Sequence, residues 1–216
     1  MPHIIKSTVK ALALFALIWG GTCGFAKSLA QEPAEEMEIV GFGDSLMAGY
    51  ELPEGDGFPA VLEAALKAQG LDVHVTNAGV SGDTTSGGLE RIDWSVPDGT
   101  KLVILELGGN DALRGISPEI TGQNLDAMIT SLKARNIKIV LAGMLSPPNM
   151  GKDYEAKFNA IYPDLAKKYA LPLIPFFTDG VSGHPDLQIE DKLHPNRKGV
   201  DVMVKNALPF VLEALK

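Results

Sequence analysis

From Glu38 onward, short, uniformly apolar runs alternate with longer stretches in which apolar residues recur every three or four positions. The short runs, residues 38–42, 73–76, 102–107, 137–142 and 171–176, predict five strands. Several lack the in-out alternation of a half-exposed antiparallel strand, which points to a parallel sheet covered on both faces. The longer stretches predict helices. Phe58, Val61, Leu62, Ala65 and Leu66 share one helical face, and Gly70 ends that helix where a left-handed residue is needed. Ser117 and Pro118, a side-chain cap followed by a preset backbone angle, start a helix that runs to about Arg135. Helical patterns over 154–169 and 197–215 complete the set. Strands alternating with helices require right-handed crossovers that cover both faces of the sheet. The predicted fold class is therefore α/β, a three-layer α/β/α sandwich around a five-stranded parallel sheet.

The first thirty residues break this alternation. Lys6 and Lys10 precede an apolar run over 11–19, and small residues follow at 20–24, the pattern of a secretory signal peptide. Ser28 and Ala30 place cleavage after Ala30, with Ala26 as the alternative. A retained anchor is the competing reading, but the apolar run is shorter than the ~20 residues that span a bilayer. Residues 31–37, rich in Gln, Glu and Pro, read as a mobile N-terminus, and 38–216 as one domain. The expected location is the periplasm or outside the cell. Cys23, the single cysteine, lies in the leader, so the mature chain would form no disulfide.

Composition narrows the partners. Hydrophobic residues at 45% and charged residues at 21% fit an ordinary globular chain and exclude a disordered or collagen-like one. Loss of Lys6, Lys10 and Lys27 with the leader carries the net charge from −8 to −11. Phosphate binding needs clustered Lys and Arg, which this acidic chain lacks, so neither nucleic acid nor anionic membrane is an expected partner. Stable membrane insertion after leader removal is not expected either, and the chain is expected to be a monomer or weak oligomer.

Ligands of parallel α/β sheets bind where loops leave the carboxyl ends of the strands. Gly43-Asp44-Ser45-Leu46 follows the first predicted strand, residues 77–88 the second, Gly108-Gly109-Asn110-Asp111 the third and residues 146–151 the fourth. A serine hydroxyl becomes an effective nucleophile when a base takes its proton, and the base works best when a carboxylate fixes its tautomer. Ser45, His194 and Asp191 supply those parts, the last two three residues apart in Asp191-Lys192-Leu193-His194-Pro195. The Ser45 N–H, the Gly82 N–H and the Asn110 amide are candidate donors to an oxyanion.

These four blocks, with Gly82 lying in Asn77-Ala78-Gly79-Val80-Ser81-Gly82-Asp83-Thr84, resemble those of the GDSL, or SGNH, hydrolases in order and spacing. Within that family the chain is most similar to multifunctional bacterial periplasmic esterases that act as thioesterases, arylesterases and lysophospholipases. The resemblance implies Ser45, Asp191 and His194 as the catalytic triad and Ser45, Gly82 and Asn110 as the oxyanion hole. It also implies a flavodoxin-like SGNH hydrolase fold and a mobile loop over 145–150 covering the acyl site. There, two prolines stiffen the chain and Met150 is a candidate groove residue.

The expected function is hydrolysis of a small-molecule ester or thioester through an acyl-enzyme, on aryl and short to medium acyl esters and on lysophospholipids, without cofactor or metal. The alternatives are a carbohydrate or peptidoglycan O-acetyl esterase and a non-catalytic binding protein on the same fold. Other chemistries fit less well. Zinc needs three or four converging ligands, and the mature chain has neither a cysteine nor a His-Glu-x-x-His pair. Met47 stands where the Gly-x-Ser-x-Gly elbow of the α/β-hydrolases has its last glycine, and no glycine pair is followed by the Lys-Ser or Lys-Thr of a nucleotide loop. His74 and His184 read as structural or exposed, Asp44 as a turn cap, Asp111 as a turn-stabilising acceptor and Arg114 as the partner of a surface carboxylate.

Overall fold

A computed structural model describes residues 36–216; the expected leader and most of the expected mobile segment lie outside the described residues. Five strands, β1 (Met37–Gly43), β2 (Val73–Gly79), β3 (Leu102–Glu106), β4 (Lys138–Ala142) and β5 (Leu173–Ile174), pair in parallel in the order β2-β1-β3-β4-β5. The helices are α1 (Ser45–Ala48), α2 (Phe58–Ala68), α3 (Thr85–Ser95), α4 (Gly109–Leu113), α5 (Pro118–Ala134), α6 (Lys152–Tyr169) and α7 (Arg197–Leu215), with a short 3₁₀ turn at Pro185–Leu187.

The chain steps from β1 outward to β2 and then back across β1 to β3, so right-handed crossovers put α2 on one face of the sheet and α3 on the other. Helices α2 and α7 pack together on one face, and α3, α5 and α6 pack in a row on the other. This is the three-layer sandwich that the alternation of patterns predicts, with the flavodoxin-like strand order. The central strand explains the burial: every residue of β3 is buried. Leu125, Met128, Ile129 and Leu132 of α5 are buried at helical spacing in one helical layer, and Val200, Met203, Val204, Ala207 and Val211 of α7 in the other.

Several elements differ from the sequence expectation. Met37 belongs to β1, paired with Val73, so the first strand begins one residue before the predicted 38. Strand β5 keeps two of the six predicted residues because Pro172 and Pro175 flank it and cannot donate to a ladder. The 77–88 segment is not all loop, since β2 runs on to Gly79 and α3 starts at Thr85. Two glycines weaken the helical signal of α3, but both are in tight places. A Cβ on Gly88 would lie 2.2 Å from Leu107 Cδ1 and one on Gly87 2.1 Å from Asp83 Oδ1, so close packing outweighs helix propensity. Finally, the loops after β1 and β3 each hold a short helix, α1 and α4. Strand order reverses between β1 and β3, and these two loops leave the crevice there.

Candidate active site

Ser45 is the first residue of α1, directly past the end of β1. Asp44, only 2% exposed, caps that turn by accepting the Leu46 N–H at 3.0 Å, and Gly49 ends it in the left-handed conformation after one turn. The preceding glycine is a steric necessity. A Cβ on Gly43 would stand 2.3 Å from Glu106 Oε2 and 2.8 Å from Met47 Cβ, so only glycine lets the turn close against β3.

The base comes from the loop before α7. His194 Nε2 lies 2.7 Å from Ser45 Oγ, and its Nδ1 lies 2.5 Å from Asp191 Oδ2. With an ionised carboxylate on one side and a hydroxyl on the other, these contacts require the tautomer in which Nδ1–H donates to Asp191 and Nε2 accepts from Ser45. Asp191 Oδ1 also accepts the N–H groups of Leu193 and His194, which wraps the loop around the carboxylate. Gln188 Nε2 donates to the Lys192 carbonyl, and Asn196 both caps α7 and donates to the carbonyls of Asp186 and Gln188. On the cavity side the Tyr50 ring packs against the imidazole, with centroids 4.6 Å apart.

Burial works to raise the Asp191 carboxyl, but the His194 N–H, the imidazole and the Leu193 N–H outweigh it and hold the group at about 2. A carboxyl depressed in the folded state stabilises the fold above the ordinary value of about 4 and ceases to do so as the pH falls towards its folded value. Asp191→Asn is therefore expected to flatten the fall of Tm between about pH 4 and pH 2. Asp44, which burial pushes up to about 6, shifts in the opposite sense but contributes equally to both proteins. Thermal melts across that range check this, and parallel curves for the two proteins would contradict it.

The candidate oxyanion donors meet at the same place. Gly82 has a φ of 81°, which suits glycine, and its carbonyl accepts from Arg114 Nη2 at 2.8 Å. Neither the Ser45 nor the Gly82 N–H donates to a backbone carbonyl among the described residues. Asn110 Nδ2 donates to Asp44 Oδ2 at 2.9 Å, which uses one of its two hydrogens and fixes the plane of the amide. The Gly108 turn before Asn110 is held by Tyr162 of α6, whose hydroxyl donates to the Leu107 carbonyl. A Cβ on Gly108 would fall 2.1 Å from that hydroxyl.

Ser45, Gly82, Asn110 and His194 line a cavity of about 510 Å³ whose other walls include Leu113, Met144, Leu145, Pro147, Pro148 and Phe176. Three secondary expectations turn out differently or more sharply. Arg114 pairs with the Gly82 carbonyl rather than a surface carboxylate, because the 77–88 segment passes directly over it. Met150 is not among the residues lining the cavity, and it packs beside Gly115 instead, whereas Leu145 to Pro148 do line it. Asp111, fully buried, accepts from the Thr85 N–H and from the hydroxyls of Thr85 and Thr121, the structural role expected of it. His74 is half-exposed and paired with Glu63, on α2 away from the cavity.

Comparison with known proteins gives the family. The sequence profile of the GDSL-like lipase/acylhydrolase family matches residues 42–202. The chain belongs to this family. It is 41% identical over 175 residues to an arylesterase of Vibrio mimicus, covering 79% of this chain and 85% of that protein. It is 38% identical over 174 residues to the thioesterase 1/protease 1/lysophospholipase L1 of Escherichia coli K12, covering 78% and 82%. Among solved structures, the SGNH-hydrolase family esterase AlinE4 is 46% identical and superimposes with a TM-score of 0.71 over 85% of this chain and 99% of that one.

For this acylhydrolase-family chain, sequence reasoning found Ser45, Gly82, Asn110 and His194 at the cavity and missed the residues packed around them. Tyr162, Arg91, Gln188 and Tyr50 carry no motif. Arg91, 7% exposed, donates to Asp83 Oδ2 and to the carbonyls of Ala78 and Gly43, and its guanidinium lies 3.9 Å over the Phe42 ring. Glu106 did leave a signal: it is a lone carboxyl inside the apolar run 102–107.

Proposed function

We propose that Ser45, His194 and Asp191 form the catalytic triad of this carboxylic ester hydrolase, with the Ser45 N–H, Gly82 N–H and Asn110 amide as its oxyanion hole. The supporting observation is the unbroken line from Asp191 Oδ2 through the imidazole to Ser45 Oγ at the wall of the cavity. Ser45 Oγ attacks the ester carbonyl as His194 Nε2 takes its proton, and Asp191 stabilises the imidazolium. The carbonyl oxygen gains negative charge among three fixed donors that need no reorganisation at that moment. Collapse of the tetrahedral species returns the proton from His194 to the leaving oxygen or sulfur and leaves the acyl group on Ser45. Water, deprotonated by the same imidazole, then releases the acid.

The cavity size and its aliphatic walls support aryl esters and short to medium acyl esters as substrates, with thioesters and lysophospholipids as chemically equivalent acyl donors. The relatives named arylesterase and thioesterase/lysophospholipase support the same range. Lys6, Lys10 and the apolar run after them support export, and with it a periplasmic place of work. A fluorophosphonate probe tests the assignment directly. The mature protein is expected to lose esterase activity with one adduct per chain, found on the peptide containing Ser45 by mass spectrometry. An adduct elsewhere, or none, would overturn the proposal.

A further inference from the structure

The fully buried carboxyl at the end of β3 has no part in the acyl-transfer steps, yet it touches the nucleophile's turn. The ladder between β1 and β3 ends at Phe42 and Leu105, so the next peptide of β1, between Gly43 and Asp44, has no strand partner on that side. On that side a side chain holds it instead. The Asp44 N–H donates to Glu106 Oε2 at 3.1 Å, while the Gly43 carbonyl at the other end of the same peptide accepts from Arg91 Nη2 at 2.8 Å and from the Val80 N–H at 3.0 Å. The Glu106 carboxyl also fills the space that a side chain at Gly43 would need.

We infer that Glu106 is a positioning residue for the nucleophile: by gripping the Asp44 N–H it fixes the peptide plane from which Ser45 departs, and through Asp44 it sets the amide of Asn110. This rests on the reading of Ser45 as nucleophile. The chain of contacts is continuous, from Glu106 Oε2 to the Asp44 N–H, and from Asp44 Oδ2 to Asn110 Nδ2. An aliphatic side chain would suit a strand of Leu, Val and Ile better than a carboxyl whose second oxygen, Oε1, has no partner. Burial and the neighbouring Asp44 both drive this carboxyl well above the usual carboxylate range.

The test compares Glu106→Gln, which keeps an acceptor oxygen, with Glu106→Leu and the straight-chain Glu106→Met, which do not. Both apolar variants are expected to melt at or above the wild-type temperature. Their kcat on p-nitrophenyl acetate is expected to fall about 10- to 100-fold with little change in KM, because a small misplacement of reacting groups costs rate rather than binding. Glu106→Gln is expected to stay within about threefold of wild type in kcat, the rescue that a hydrogen-bonding role requires. Wild-type kcat in a folded apolar variant would overturn the inference, as would a Gln variant as slow as Leu. Using two apolar variants guards against a packing failure in either one. Fluorophosphonate labelling separates the two ideas. If Ser45 is not the nucleophile, the wild type yields no Ser45 adduct. If only the Glu106 inference is wrong, the wild type and Glu106→Leu label Ser45 at the same rate.

Discussion

Ser45→Ala and His194→Ala are each expected to lower kcat on p-nitrophenyl acetate by about 10⁴- to 10⁶-fold, and the double variant is expected to be no slower than the worse of the two. The reason lies in the 2.7 Å contact between His194 Nε2 and Ser45 Oγ. A hydroxyl without its base is barely nucleophilic, and the base has no proton to take without the hydroxyl, so removing either part removes the whole function. The residual rate would come from the oxyanion donors and from binding in the cavity, which both substitutions leave in place. Steady-state kinetics on the three proteins, each shown to be folded by its melting curve, check this. Losses that multiply in the double variant would mean that the two residues act independently and would break the proposed unit.

The parts proposed to perform chemistry were readable in the sequence because each needs a particular residue type in a particular local frame. Gly43, Asp44 and Ser45 occupy successive positions at a strand end, and Asp191 and His194 sit three residues apart, so one turn closes the pair. The sheet was readable for a related reason, since a strand covered on both faces must be apolar throughout, as β3 is up to Glu106. What stayed hidden depends on partners far along the chain. Arg91 meets Gly43 across 48 residues and Tyr162 meets Leu107 across 55, and no local pattern encodes such a meeting. Helix α3 was hidden because its glycines argue against a helix until the close approach of Leu107 to Gly88 is seen. Arg114 was given a surface carboxylate as its partner, whereas a backbone carbonyl of the Gly82 turn is what lies within its reach.

These distant contacts share one purpose. Gly43, Gly82 and Gly108 let the backbone approach too closely for a side chain or adopt a turn that disfavours one, and each adjoins a long-range hydrogen bond from Arg91, Arg114 or Tyr162. Each of the three site-forming turns is thus paired with a donor from another element that satisfies its carbonyl. Donors held in this way cannot swing to meet the ground state and the transition state alike. Preorganisation of that kind is what makes an oxyanion hole effective.

Asn110→Ala is the second large effect expected. Its amide nitrogen has two hydrogens, and Asp44 takes one at 2.9 Å, leaving the other for the cavity that Asn110 lines. Losing one oxyanion donor is expected to lower kcat by about 10²- to 10³-fold while KM stays within a few-fold, because the bond strengthens only as the carbonyl oxygen becomes negative. Asp44→Ala removes the acceptor that orients the amide and the cap of α1, but leaves the amide present, so its loss in kcat is expected to be smaller than that of Asn110→Ala. The order of the two variants carries the information. A greater loss for Asp44→Ala would shift the weight from the Asn110 amide to the shape of the turn. A change in KM alone for Asn110→Ala would mean that the amide binds the ester in its ground state and does not serve the oxyanion.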